Sequence, residues 1–206
     1  MSVRSHGAAV PLAALVGYLA GTVPSASLAS RLASGGAIDL RTVGSGNPGA
    51  LNAAQQLGTM WGVGVLVADA AKGFFGALAG RRLAGPTGAY LAATMAIAGH
   101  VVPVWSGFRG GKGVATSAGA CLAVFPAYFP IDAAVAVAGA AGTRSPETAI
   151  RISSLAWTLS AILWWRKRWQ NAWGPPATAG LPAFAASGSA IIVAKFAHSR
   201  AARRRR

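Results

Sequence analysis

Gly99-His-Val-Val-Pro-Val-Trp-Ser-Gly-Phe-Arg-Gly-Gly-Lys-Gly-Val-Ala-Thr-Ser-Ala-Gly119 sets a cationic, glycine-rich loop, Arg109–Gly113, between two long apolar stretches. Glycines let a backbone approach a ligand closely and aim amide N–H groups at it, and the lysine adds a full positive charge. Polar backbone of this kind between apolar segments needs a reason, and phosphate is the anion that fits it best. Working outward from the loop, apolar blocks run over 8–32, 60–80, 84–105, 114–128, 130–143, 150–165 and 178–197. Several come near the roughly 20 residues needed to cross ~30 Å of hydrocarbon. Phe125-Pro126 and Phe129-Pro130 break one long apolar region into two shorter helices. The pattern predicts an all-α, polytopic membrane protein with about seven transmembrane helices in one compact bundle; five or six spans are the alternatives.

Composition agrees. The chain is 53% hydrophobic and 11% charged, against about 25% charged in an ordinary soluble domain. Four acidic residues face nineteen basic ones, too few carboxylates for an acid-rich metal site or a paired-carboxylate hydrolase. The net charge of +15 does not read as nucleic-acid binding, because the basic residues sit at the edges of apolar blocks and at the C-terminus. Cys121 stands alone inside an apolar run, so no internal disulfide and no zinc spacing exists. Arg4, Ala8–Ala20 and Pro24-Ser-Ala-Ser27 imitate a cleavable signal peptide, but multi-spanning proteins usually keep their first helix. No repeat or linker divides the chain: 1–199 reads as one integral membrane domain and 200–206 as a basic tail.

An odd number of spans puts the termini on opposite faces. With the C-terminus cytoplasmic, loops 33–59, 106–113 and 144–150 share its side, together with Arg31, Arg41, Arg109, Lys112, Arg144, Arg151, Lys195, Arg200 and Arg203 through Arg206. The other side holds Arg4, Arg81, Arg82 and Arg166 through Arg168. That asymmetry follows the positive-inside rule. Gly17-x-x-x-Gly21 and Gly76-x-x-x-Gly80 are spacings that let helices touch closely. Trp157, Trp164, Trp165, Trp169 and Trp173 read as an interfacial belt.

Five constellations are candidates for chemistry. Gly44-Ser-Gly-Asn-Pro-Gly-Ala-Leu-Asn52 offers hydroxyl, amide and N–H groups suited to a polyol phosphate; a turn followed by a helix cap fits it equally. Arg109–Gly113 is not a Walker loop, since Ser106 stands where its first glycine belongs and Gly113 replaces the hydroxyl after the lysine. Asp69 and Lys72 share a helical face at i, i+3, either as a structural pair or at a polar interior. His100 ends the third block as a hydrogen-bonded structural residue or as a cap over the site. The run His198-Ser-Arg-Ala-Ala-Arg-Arg-Arg-Arg206 reads first as a topology anchor on anionic lipid.

Taken together, Pro24 through Asn52, Asp69-Ala-Ala-Lys-Gly73, and Gly99-His-Val-Val-Pro103 through Phe108-Arg-Gly-Gly-Lys-Gly-Val-Ala-Thr116 resemble the bacterial acyl-phosphate-dependent glycerol-3-phosphate acyltransferases, the PlsY family. The resemblance covers residues 10–120 well. It implies a compact seven-helix enzyme of the bacterial plasma membrane with its site on the cytoplasmic side. The implied reaction moves an acyl group from acyl phosphate to glycerol 3-phosphate, giving lysophosphatidate and phosphate with no metal or other cofactor. It implies catalytic roles for Ser45, Lys112, Ser154 and His198. Substrate contacts are implied for Arg41, Asn47, Asn52, Arg109, Gly110, Gly111, Gly113 and Thr116, with Asp69, Lys72 and His100 in support. Arg151-Ile-Ser-Ser-Leu155 resembles the family's third motif, but Trp157 stands where a second small hydroxyl residue is usual, and Ala201 replaces the asparagine of the terminal His-x-x-Asn. A divergent paralogue is consistent with both departures. The partners expected are the two substrates and membrane lipid, with a monomeric chain and no nucleic acid. A membrane anion-binding protein or small transporter is the rival reading.

Overall fold

The computed structural model describes residues 6–142 and 145–204; Arg4, Arg144, Arg205 and Arg206 lie outside the described residues. It is helical, with no strand among the described residues. The architecture turns on Ala84-Gly85-Pro86. Helix α4 (Thr59–Val101) loses helical backbone at Ala84 and Gly85, where Gly85 takes φ +60°. Glycine adopts that conformation without strain, and Pro86 restarts the helix where its missing N–H costs nothing. The result is an antiparallel helical hairpin with arms over 59–83 and 86–101. Gly80 lies against Gly88 and Ala92, and Gly76 against Ala96. One further turn along, the same register sets Lys72 opposite His100.

Helix α1 (His6–Thr22) lies along the second arm, Gly17 over Ala92 and Gly21 over Ala96. A Cβ at either glycine would overlap backbone of the opposing helix, which is the contact the four-residue spacing predicts. Pro24 interrupts the chain, and α2 (Ser25–Ser34) continues the apolar segment. Helix α3 (Ala50–Leu57) folds back on the start of α4, Ala54 meeting Gly62. Ala26, Ala29, Leu40, Ala53 and Val65 close a small core among these pieces.

The remaining apolar blocks form α5 (Val114–Val124), α6 (Phe129–Gly142), α7 (Pro146–Lys167) and α8 (Gly180–Arg204). Helices α5 and α6 are short, at 11 and 14 residues, because Pro126 lies in the turn between them and Pro130 in the first turn of α6. Ser145 caps α7 through the Thr148 N–H, ahead of Pro146 and Glu147. The ends are fixed by contacts. Arg41 meets the Arg109 carbonyl at one end. At the other, Asn171 donates to the Val124 carbonyl at 2.7 Å, Trp173 to Leu122 at 3.1 Å, and Arg81 to Trp173 at 2.9 Å. Among the described residues each apolar block is therefore mainly helical, and the glycine-rich loops gather at one end. Ala8–Ser34, Thr59–Ser106 and Gly180–Ala201 are long and apolar enough to cross a membrane by length and composition.

One expectation changes. Trp157 does not join the belt: it is buried in the main core, edge-on to Phe184 at 5.0 Å and against Gly188, which leaves room for its ring. Trp164, Trp169 and Trp173 do gather at the end away from the glycine-rich loops. Helix α8 runs on through Arg204, into the basic segment.

Identical substitutions should act with opposite sign on this packing. Gly21→Ala puts a Cβ into the Ala96 carbonyl and should cost about 1–3 kcal/mol. Gly76→Ala meets only methyl groups 3.4 Å away and should be neutral or stabilising by up to about 1 kcal/mol. Thermal unfolding in detergent measures both; a Gly21→Ala protein as stable as the parent contradicts the packing.

Candidate active site

Four buried polar side chains meet where α1 breaks into α2 and the arms of α4 face each other. The Lys72 ammonium lies 2.7 Å from Asp69 Oδ1, 3.0 Å from Ser25 Oγ and 3.5 Å from His100 Nδ1. Ser25 donates to the same Asp69 oxygen. All four residues are no more than 8% exposed. A charge in an apolar bundle is tolerated only when paired and hydrogen-bonded, and here each partner completes the other.

Above this cluster opens a cleft of about 300 Å³, counted out to its mouth. Ser25, Ser27, Arg41, Pro48, Lys72, His100, Ser106, Gly110 and Gly111 line it. Arg41 spans the mouth, donating to Ser27 Oγ and the Arg109 carbonyl at 3.2 Å each and pairing with Asp39 at 3.5 Å. The amides of Gly110 and Gly111 donate to the carbonyls of Val101 and His100 at 3.2 and 3.1 Å. They tie the loop onto the end of α4 rather than aiming at the cleft, and they must be glycine because a Cβ on either would overlap Pro103 or the His100 backbone and ring.

Across the loop, α7 and α8 form a second, amphipathic and larger groove of about 740 Å³ counted out to its mouth in the same way, lined by Glu147, Ile150, Arg151, Val193, Phe196, Ala197, Arg200 and Ala201. Lys112 leans to this side, its ammonium 4.2 Å from the centre of the Phe196 ring, a cation–π contact. Ser154 continues the stripe of 147, 150 and 151 one turn deeper, and its carbonyl accepts from Ser189 of α8 at 3.4 Å. The loop Arg109–Gly113 thus stands between a small polar cleft and an amphipathic groove.

A sequence profile described as glycerol-3-phosphate acyltransferase matches residues 11–205. The chain belongs to the glycerol-3-phosphate acyltransferase family. It is 47% identical over 115 residues to "Glycerol-3-phosphate acyltransferase 2" of Moorella thermoacetica, covering 56% of this chain and 58% of that relative. It is 44% identical over 144 residues to the glycerol-3-phosphate acyltransferase of Anaeromyxobacter dehalogenans, covering 68% of this chain and 67% of the relative. It also resembles a crystal structure of PlsY, an integral membrane glycerol 3-phosphate acyltransferase, in its glycerol 3-phosphate form: TM-score 0.73, 28% identity, 92% of this chain and 88% of that one. The lysophosphatidic acid form gives a TM-score of 0.71 at 26% identity, over 90% and 87%.

Against that family, the residues expected from sequence divide into groups. Arg41, Gly110, Gly111, Lys72 and His100 come together at the polar cleft, with Arg109 at its rim and Asp69 beneath. Asn52 is a buried fastener: its amide donates to the carbonyls of Leu40 and Val43 at 2.9 and 3.2 Å, and its oxygen accepts from the Ser45 N–H at 3.0 Å. Ser45 is exposed, and its hydroxyl is 3.4 Å from the Asn47 N–H. Gly113 starts α5 with φ +84°, and Thr116 is fully buried against Gly73, its hydroxyl without a hydrogen bond among the described residues. Lys112 leans toward the groove through Phe196, and Ser154 lies one turn beyond the groove's lining on α7. His198 is exposed on α8, off the stripe of 193, 196, 197, 200 and 201 that lines the groove. Ser25 and Ser27 were missed because Pro24-Ser-Ala-Ser27 reads as a processing-site imitation. The signal was the unpaired requirement of Asp69 and Lys72 for a further polar partner in an apolar block.

Asp69→Asn leaves the Lys72 ammonium without its counter-charge and should cost about 3–5 kcal/mol, whereas Asp69→Leu with Lys72→Met together should recover most of that. Thermal unfolding in detergent checks this; a double variant no more stable than Asp69→Asn contradicts a simple charge-pair account.

Proposed function

We propose that this chain transfers an acyl group from acyl phosphate to glycerol 3-phosphate, forming lysophosphatidate and phosphate, as a monomer on the cytoplasmic side of the bacterial plasma membrane. The observation that carries the reading is a family match across the chain, joined to a cationic loop with a polar cleft on one side and an amphipathic groove on the other. Glycerol 3-phosphate is small and wholly polar, which suits the cleft of Arg41, Ser27 and His100. Acyl phosphate is an anionic amphiphile. Ile150, Val193 and Phe196 suit its chain, and Arg151, Arg200 and Lys112 its phosphate.

An acyl phosphate is a mixed anhydride and arrives activated, so no covalent enzyme intermediate is needed. The glycerol hydroxyl attacks the acyl carbon, the bond from that carbon to the phosphate oxygen breaks, and the hydroxyl proton leaves with the phosphate. Positioning and charge stabilisation are the tasks left to the protein. Lys112 and Arg41 offset the repulsion between two anionic substrates. The departing phosphate is the proton acceptor, since His198 lies off the groove stripe and His100 Nδ1 faces an ammonium.

A second reading, a non-catalytic anion- or lipid-binding paralogue, draws on Ala201 at the groove mouth and Trp157 in the core. One assay separates the two. Purified protein in detergent should release phosphate and form lysophosphatidate in equal amounts; a carrier would do neither. Lys112→Ala should cut turnover at least ten-fold by losing a charge-assisted contact worth about 1.5–3 kcal/mol, with its thermal melt retained. Near-normal turnover in a folded Lys112→Ala protein contradicts the role.

A further inference from the structure

The Lys72 ammonium has three protons and three acceptors within 3.5 Å: Asp69 Oδ1, Ser25 Oγ and His100 Nδ1. An ammonium only donates, so the imidazole nitrogen it faces holds a lone pair, and the ring proton belongs on Nε2. The Asp69 oxygen lies at a similar 3.6 Å from Nδ1, but it already accepts from the Lys72 ammonium and the Ser25 hydroxyl. The Nε2 edge of the ring points at Gly111, where a Cβ would overlap it. His100 and Lys72 line the same cleft as Arg41, Ser27 and Gly110. Glycine at 111 therefore withholds the side chain that would cover the Nε2 edge of a ring that lines the cleft.

We propose that the His100 Nε2–H is a hydrogen-bond donor to the polyol phosphate in this cleft, and that Lys72, held by Asp69 and Ser25, is the positioning residue that fixes its tautomer. The proposal rests on the acyltransferase reading for the identity of the ligand. His100 exchanges no proton in the reaction; it orients an oxygen of glycerol 3-phosphate in the cleft that Arg41 also lines. The cleft is thereby selective for an oxygen acceptor, and the amphiphilic substrate in the α7–α8 groove does not touch it.

Side-chain amides separate the two ring nitrogens. Glutamine places an N–H near the Nε2 position, and asparagine reaches only the Nδ1 position. His100→Gln, His100→Asn and His100→Ala are compared for KM toward each substrate, kcat, and thermal melt with and without glycerol 3-phosphate. The expected result is a KM for glycerol 3-phosphate raised about ten-fold or more in the Asn and Ala proteins, restored to within about three-fold by Gln, with KM for acyl phosphate unchanged. Lys72→Met should raise the same KM selectively. Equal effects on both substrates, rescue by Asn rather than Gln, or loss of the melt in Gln and Ala alike would overturn the assignment and leave His100 as packing. The ligand-induced melt shift needs no turnover. If the parent forms no lysophosphatidate yet glycerol 3-phosphate raises its melting temperature and His100→Ala abolishes the shift, the subsite stands and the reaction falls.

Discussion

The buried pair of Lys72 and Asp69 is the constraint on which the rest of the structure depends. Two opposite charges at 2.7 Å inside an apolar bundle are stable only if their remaining hydrogen-bonding capacity is met. Meeting it draws in Ser25 from the start of α2 and His100 from the second arm of α4. The pair therefore fixes the break at Pro24 and the register of the hairpin together. Gly85 permits the hairpin, and Gly80 and Gly88 let its arms close. The Gly110-Gly111 loop then has one place to sit, on the carbonyls that end α4.

That arrangement suits the proposed reaction, in which one small chain would handle two unlike anions without dedicated domains. The loop Arg109–Gly113 is a partition. On one side lie polar groups contributed by α1–α2, α4 and Arg41. On the other, α7 and α8 present apolar side chains with arginines at the mouth. Lys112, on the partition, leans on Phe196 and so belongs to the amphipathic side.

The fold was largely legible because apolar blocks, Pro126, Pro130 and the four-residue glycine spacings each carry a local physical meaning. The candidate site was legible in part. Asp69, Lys72, Arg41 and the glycine loop stand out as polar or charged residues in apolar company. Ser25 does not, since a serine in a helical block is unremarkable until its partners are known. The roles of Asn52 and of the Gly110 and Gly111 amides were also hidden: an amide side chain and a glycine look alike whether they bind a ligand or close a loop. Trp157 was misplaced because aromatic clustering along the sequence cannot tell which face of α7 a ring occupies. The direction of His198 depended on α8 continuing through it, and no residue near it marks a stop.

The most direct measurement is an experimental structure of the protein with glycerol 3-phosphate and a non-hydrolysable acyl phosphonate bound together. The account predicts the polyol phosphate in the cleft, within hydrogen-bond distance of Arg41 and His100 Nε2, and the acyl phosphonate between α7 and α8 with its head toward Lys112. Both ligands in the α7–α8 groove, with the cleft under Gly111 left to water, would contradict it.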